Sequence, residues 1–255
     1  MSLSFEKSIY SPIFSPEEID SLDFNRMPKH VAIVMDGNRR WALFNNLPIE
    51  LGHAKGSEQL KVIVQADIEL KVEILTVYSF STENKNRSPK EISSIFNLIK
   101  QYLIMERGRM IETGIRLQTI GDLSFFPKDL LEVLEETKRA TESGRVIDLV
   151  VAMNYGARDE IKRAVQKIAK DCVERKIEAS EISEDLISSY LDTASFPDPE
   201  LLIRTSGEFR LSNFLLWQIS YTEVSIVKKY WPEFEPSDLL HVIKNYQERE
   251  KRRGI

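Results

Sequence analysis

Four short polar segments of this chain carry side chains suited to holding phosphate and a hard metal ion. The first reads Met35-Asp36-Gly37-Asn38-Arg39-Arg40-Trp41, directly after an apolar run. Gly37 lets the backbone come close to a ligand, and the N–H groups of the residues after it can face ligand oxygens. Arg40 can grip phosphate through a planar fork of donors, and Asp36 is a hard oxygen ligand for Mg²⁺. The second segment, Gly52-His53-Ala54-Lys55-Gly56, reads as the opening of a helix, where backbone dipoles favour anions and His53 adds a donor. The third runs from Phe80 to Arg87. There Ser81, Asn84 and Arg87 are three apart, so a helical loop would turn a hydroxyl, an amide and a guanidinium to one side. Those groups could position a diphosphate or relay a proton. The fourth, Arg204 to Asn213, sets Arg204 and Arg210 beside Ser212 at an expected helix N-cap, a second anion cradle. Glu223, just before the last expected strand, could return a carboxylate to a metal.

Taken singly, each segment also fits a plainer role: an Asp-Gly-Asn turn with solvated arginines, a surface or capping histidine, a polar loop, a surface glutamate. Taken together, two anion cradles joined by carboxylates suggest a pair of phosphate-bearing substrates. Other phosphate chemistries fit poorly. The sequence has no Walker lysine motif and no G-x-G-x-x-G after a strand. Asn38 stands where an aspartyl phosphatase would carry its second aspartate. The histidines at 30, 53 and 241 have no metal-ligand spacing.

The elements that must position these segments alternate along the chain. Short β-rich runs, several of them nearly continuously apolar, predict strands at 30–35, 74–80, 115–120, 146–154, 201–204 and 224–227. Between them, 3.6-residue periodicity predicts helices near 55–71, 88–112, 128–142, 158–175, 182–192, 212–220 and 237–251. Ser88-Pro89-Lys90-Glu91 reads as a capping box with proline in the first turn. The expected fold class is therefore α/β, a single domain with a mostly parallel six-stranded sheet covered by about seven helices. Residues 1–28, with Pro12, Pro16 and Pro28, read as an N-terminal arm or short helix outside the core, and 29–255 as the catalytic domain. Ligands in such folds gather where loops leave the C-terminal ends of strands.

Composition sets outer bounds. The 255 residues are 42% apolar and 29% charged, enough for a large core. A net charge of −5 argues against a nucleic-acid partner. The single cysteine, Cys172, excludes an internal disulfide and reads as a buried helix residue. The first 20 residues lack the order of a signal peptide and no run is long enough to span a bilayer, so a soluble, cytoplasmic protein is expected.

Five blocks resemble the cis-prenyltransferase family, bacterial undecaprenyl diphosphate synthases in particular: HVAIVMDGNRRWA, GHAKG, LTVYSFSTENKNR, RTSGEFRLSNFLLWQ with the later Glu223, and WPEF at 231–234. They keep the family's order and spacing across roughly residues 29–254. The resemblance implies condensation of isopentenyl diphosphate onto an allylic prenyl diphosphate, farnesyl diphosphate by default. The product would be a cis-polyprenyl diphosphate such as undecaprenyl diphosphate, a lipid carrier precursor for cell-wall synthesis. It also implies Mg²⁺, a homodimer, a hydrophobic tunnel for the growing chain, and peripheral membrane contact when the product leaves.

Residue by residue, the resemblance assigns Asp36, Gly37, Asn38, Arg39, Arg40 and Trp41, with His53, to the allylic diphosphate. Arg204, Arg210, Leu211 and Ser212 would hold isopentenyl diphosphate, and Mg²⁺ would lie between Asp36 and Glu223. Ser81, Thr82, Glu83, Asn84 and Arg87 would sit near the reacting carbons, with Asn84 as proton acceptor or the released diphosphate in its place. The closing Arg252-Arg253-Gly254 would reach a partner subunit. Three positions depart from the family pattern: Ile49 for a phosphate-binding arginine, Lys85 for a tryptophan, and Phe209 for a histidine; Arg39 could compensate for Ile49. Two other classes compete: a non-catalytic accessory subunit, which should lack part of the diphosphate site, and a phosphohydrolase, which should release phosphate from a monophosphate without isopentenyl diphosphate.

Overall fold

Runs of Val, Ile and Leu without polar interruption are stable only when covered on both faces. In the computed structural model, which describes residues 11–249, the strands are β1 (His30–Val34), β2 (Ile74–Ser81), β3 (Ile115–Ile120), β4 (Ile147–Tyr155), β5 (Leu201–Arg204) and β6 (Glu223–Ile226); such runs dominate the inner strands, whereas the edge strands β3 and β6 interleave polar residues. The sheet order is β3-β4-β2-β1-β5-β6, with every pair parallel. The described helices are α1 (Pro16–Asp20), α2 (Asn38–Phe44), α3 (Ile49–Glu69), α4 (Pro89–Glu112), α5 (Lys128–Ala140), α6 (Ala157–Val173), α7 (Glu184–Tyr190) and α8 (Pro236–Glu248). The expected six-stranded α/β architecture is found.

Successive strand residues face opposite ways, and the core divides accordingly. Val31, Ile33, Leu75 and Val77 join the cluster that also holds residues of α3, α4, α5 and α8. Ala32, Val34, Ile74 and Tyr78 join a second cluster with Ala157, Phe214 and Leu215.

Several expectations need correction. Residues 212–220 form turns rather than a helix, because Ser212, Asn213 and Leu215 adopt left-handed backbone angles (φ 51°, 61° and 47°) that a right-handed helix cannot contain. Ser212 is therefore no helix N-cap. The N-terminal segment is not wholly outside the core: Phe14 and Leu22 are buried in the main cluster. The Glu69 carboxylate accepts the backbone N–H groups of Ile13 and Phe14, which ties that segment to α3. Cys172 is only half-buried.

His30 opens β1 and is buried, with Nε2 2.7 Å from Thr76 Oγ1 and Nδ1 2.6 Å from the Pro197 carbonyl. Burial lowers its pKa from 6.5 to about 4. The unfolded chain then binds the extra proton first as pH falls, so the stability His30 contributes is complete above about pH 6.5 and is lost towards pH 4. The shift corresponds to about 3 kcal/mol. In urea unfolding at pH 7 and pH 4.5, His30→Gln should lose that part of the slope relative to wild type; equal slopes would refute the assignment.

Candidate active site

Parallel register places Val34 of β1 beside Arg204 of β5, so the loops leaving both strands share one crevice. Across it Arg204 donates from Nη2 to Asp36 Oδ2 at 2.8 Å, and Arg40 reaches Asp36 Oδ1 at 2.9 Å. The arginine cradles expected at two strand ends thus meet on one carboxylate. Burial alone would raise the Asp36 pKa, but the hydrogen bonds from Arg204 and Arg40 outweigh it and hold the group below the ordinary carboxylate value. Arg204 is almost wholly buried and also donates from Nη1 to Ser212 Oγ (2.8 Å) and to the Arg210 carbonyl. It is the pivot of the crevice. Arg210 is mostly exposed, and Leu211 partly so.

Gly37, at φ 110°, precedes α2, and no side chain caps that helix. A Cβ at Gly37 would lie 2.8 Å from both Ser206 Oγ and the Tyr230 ring, so the loop admits only glycine. Glu208, which the sequence reading passed over, bridges Arg40 (2.5 Å) and Arg210 (2.6 Å). Its only signal was its position as the carboxylate between two arginines. Trp41 turns outward, and its Nε1 donates to Glu233.

On the α3 side, His53 is not at a helix start. It lies in the second turn of α3, whose N-cap is Pro48. The glycines around it serve packing: a Cβ at Gly52 would lie 2.2 Å from the Asn38 carbonyl, and one at Gly56 would lie 2.3 Å from Asn38 Oδ1. Glu91 gathers the basic groups here, with Arg87 at 2.8 Å, His53 at 3.6 Å and Arg39 at 4.0 Å. The Ser88 hydroxyl caps α4, yet the Glu91 side chain goes to these cations rather than back to the cap.

Buried polar atoms in folded proteins are nearly always paired. Asn38 Oδ1, His53 Nε2, Arg204 Nε and Ser206 Oγ have no hydrogen-bond partner among the described residues, and all four lie around this crevice. A cavity of about 100 Å³ opens beside Asn38 and His53. Its polar end holds Asn38, His53 and Ser79; its body is lined by apolar side chains such as Ile95, Ile99 and Leu103 of α4 and Leu117, Leu149 and Met153 of the sheet. Trp231 of the WPEF segment closes one wall, its Nε1 donating to the Gly56 carbonyl at 2.8 Å. The site as a whole suits an anionic head with an apolar group beside it.

Residues 34–254 match the prenyltransferase family described as "Putative undecaprenyl diphosphate synthase". The chain belongs to the cis-prenyltransferase family. It is 45% identical over 234 residues to an isoprenyl transferase of Chlamydia trachomatis, covering 90% of this chain and 92% of that one. It is 43% identical to the isoprenyl transferase of Chlamydia muridarum over the whole of both chains. Among solved structures, lavandulyl diphosphate synthase from Lavandula x intermedia, in complex with dimethylallyl diphosphate, superposes with a TM-score of 0.87 at 31% identity, covering 89% of this chain and 98% of that one. A "probable undecaprenyl diphosphate synthase" from Campylobacter jejuni gives 0.74 at 32%, covering 89% and 99%.

Not every expected residue of this cis-prenyltransferase comes to the crevice. Glu223 begins β6 opposite Leu201, three residues before the Arg204–Ile226 pair, so it sits at the far end of the sheet from Asp36. It pairs there with Arg249 at 2.6 Å. The expected metal pair of Asp36 and Glu223 does not form within this fold. The Arg252-Arg253-Gly254 tail lies outside the described residues. Phe209, at a departure position, is 88% exposed and Ile49 begins α3. Arg39 shares Glu91 with His53 and Arg87, on the side where Ile49 offers no charge.

The loop after β2 folds as a 3₁₀ turn (Thr82–Asn86), with Asn84 Oδ1 accepting the Ser81 N–H at 3.0 Å. That bond fixes the orientation of the Asn84 amide, whose oxygen keeps a second lone pair. Lys85, the second departure, places Nζ 4.7 Å over the Phe125 ring. Such a contact contributes about 0.5–1 kcal/mol at an exposed site. Lys85→Ala should speed hydrogen exchange in residues 82–87 several-fold, whereas unchanged exchange would show that the contact does not hold the loop.

Proposed function

We propose that this protein condenses isopentenyl diphosphate units onto an allylic prenyl diphosphate, farnesyl diphosphate as starter, giving a long cis-polyprenyl diphosphate such as undecaprenyl diphosphate. One observation supports this above the others: an apolar cavity carries at its polar end Asn38 Oδ1 and His53 Nε2, both without a hydrogen-bond partner among the described residues, and Asn38 lies on the segment where Arg204 and Arg40 meet Asp36. The allylic diphosphate would lie at Arg39, Arg40, Asn38 and His53, its chain running along α4. Isopentenyl diphosphate would lie at Arg204, Arg210 and Ser212.

Among the described residues no group of three His, Cys, Asp or Glu could hold a metal unaided. The oxygen donors at the crevice nevertheless suit a hard cation, because Mg²⁺ usually takes one or two carboxylates together with substrate phosphate. Asp36 would hold it, with the unpartnered Ser206 Oγ nearby across Gly37. When bound, Mg²⁺ neutralises charge growing on the leaving diphosphate.

The chain's own residues supply the rest. Arg40 and Arg39 donate to the departing diphosphate as the allylic carbon–oxygen bond breaks. The isopentenyl double bond attacks that carbon and a new carbon–carbon bond forms. The proton lost from isopentenyl diphosphate passes to the released diphosphate, a far stronger base than the Asn84 carboxamide. The apolar cavity wall excludes water that would otherwise trap the allylic cation. Homodimer formation, membrane contact on product release and a cytoplasmic, cell-wall-related role belong to the same proposal. Among the described residues no helix is long and apolar enough to cross a membrane.

Incubation with farnesyl diphosphate, labelled isopentenyl diphosphate and Mg²⁺ should give a labelled lipid ladder that a chelator abolishes, with its upper rung reporting product length. Folded protein that incorporates no label would overturn the reading.

A further inference from the structure

Asn213 has no assigned part in the chemistry above, yet three loops at the C-terminal ends of the strands meet on it. Its Oδ1 accepts the Arg158 N–H at 2.9 Å and its carbonyl accepts the Ala157 N–H at 2.8 Å. Both are donors at the start of α6 that the helix itself leaves unpaired. Its Nδ2 donates to Glu83 Oε1 at 3.1 Å. The packing has little slack, since a Cβ at Gly156 would fall 2.6 Å from Thr82 Oγ1 and 2.7 Å from Asn213 Nδ2. Asn213 keeps φ at 61°, a left-handed conformation that Asn and Asp tolerate better than other side chains.

We infer that Asn213 is a positioning residue that locks the loop carrying Asn84 and Arg87 to the loop carrying Arg204, Arg210 and Ser212, through its hydrogen bond to Glu83. The inference rests on the prenyl-transfer reading, because one half is the loop proposed to lie near the reacting carbons and the other the proposed isopentenyl side. Without the lock, each substrate still has its own arginines. What suffers is the alignment of two reacting carbons, and small misplacements of that kind are costly to rate.

The polarity of the bond gives the test. In Asn213→Asp the carboxylate still accepts the Arg158 N–H and suits the same backbone, so the α6 cap survives. Its other oxygen now faces the Glu83 carboxylate. In the double variant Glu83→Gln/Asn213→Asp the bond is remade with the donor on the opposite side. The expected result is a fall in kcat of about 10–100-fold for Asn213→Asp at saturating substrates, within the range that misalignment produces. Binding of farnesyl diphosphate alone should stay within about threefold, and kcat of the double variant should recover to within about threefold of Glu83→Gln alone. Equal kcat in Asn213→Asp and wild type would overturn the inference, as would a double variant no better than Asn213→Asp while its melting temperature matches wild type. Wild-type protein without any incorporation would instead overturn the reaction reading, so the two failures are distinct.

Discussion

Asp36→Ala is expected to cut isopentenyl incorporation by about 10²–10³-fold, the scale seen when a group that stabilises developing charge is removed. Asp36 is the carboxylate on which Arg204 and Arg40 converge, and the one we propose for Mg²⁺. The alanine variant confounds two effects. Arg204 is almost wholly buried, and taking away its carboxylate leaves a charge with one partner fewer. Asp36→Asn separates them: it keeps an acceptor for Arg204 and removes the negative charge. We expect Asp36→Asn to unfold in urea close to wild type and still to lose at least about tenfold in rate. An asparagine variant with near wild-type incorporation would show that Asp36 only supports the fold.

The second large effect concerns stability. Asp67, on α3, is completely buried, and neither carboxylate oxygen has a hydrogen-bond partner among the described residues. Burial raises its pKa well above the ordinary value. A raised carboxyl favours the folded state most at acid pH, below its unfolded value, and loses that contribution as pH rises, because the unfolded chain releases the proton first. Asp67→Asn cannot ionise. At pH 7.5 it should be more stable than wild type, because only the aspartate must take up a proton to be buried neutral. The gain should shrink as pH approaches 4. A gain that is constant with pH, or a loss, would place Asp67 in a paired, charged state instead. His30 acts with the opposite sign over part of the same range, so the wild-type curve should be flatter than that of either single variant.

The sequence revealed the sheet because parallel strands, covered on both faces, must be apolar nearly throughout, as in His30–Val34 and Leu201–Arg204. It revealed the polar loops because hydroxyls, amides and arginines stand out directly after such runs. It misplaced Glu223, because whether a carboxylate lies at one end of a strand or the other is set by register: β6 begins at Glu223, whereas Asp36 follows the end of β1. The turns at 212–215 were hidden by their own composition, since Phe214, Leu215 and Trp217 read as an apolar, buried helix while left-handed residues among them forbid one. Asp67 and Asn213 gave no local signal. Burial without a partner and contact among three loops are properties of tertiary packing.

The order of the sheet also sets a clock for synthesis. β1 lies between β2, which follows it closely, and β5, which comes near the end of the chain. At roughly 5–20 residues per second, Arg204 leaves the ribosome on the order of 10–30 s after Asp36. Throughout that interval the mostly apolar β1 is an open edge on one side, and open apolar edges invite pairing with other chains. A nascent or truncated chain ending before residue 201 should therefore depend on chaperones, whatever the stability of the finished protein.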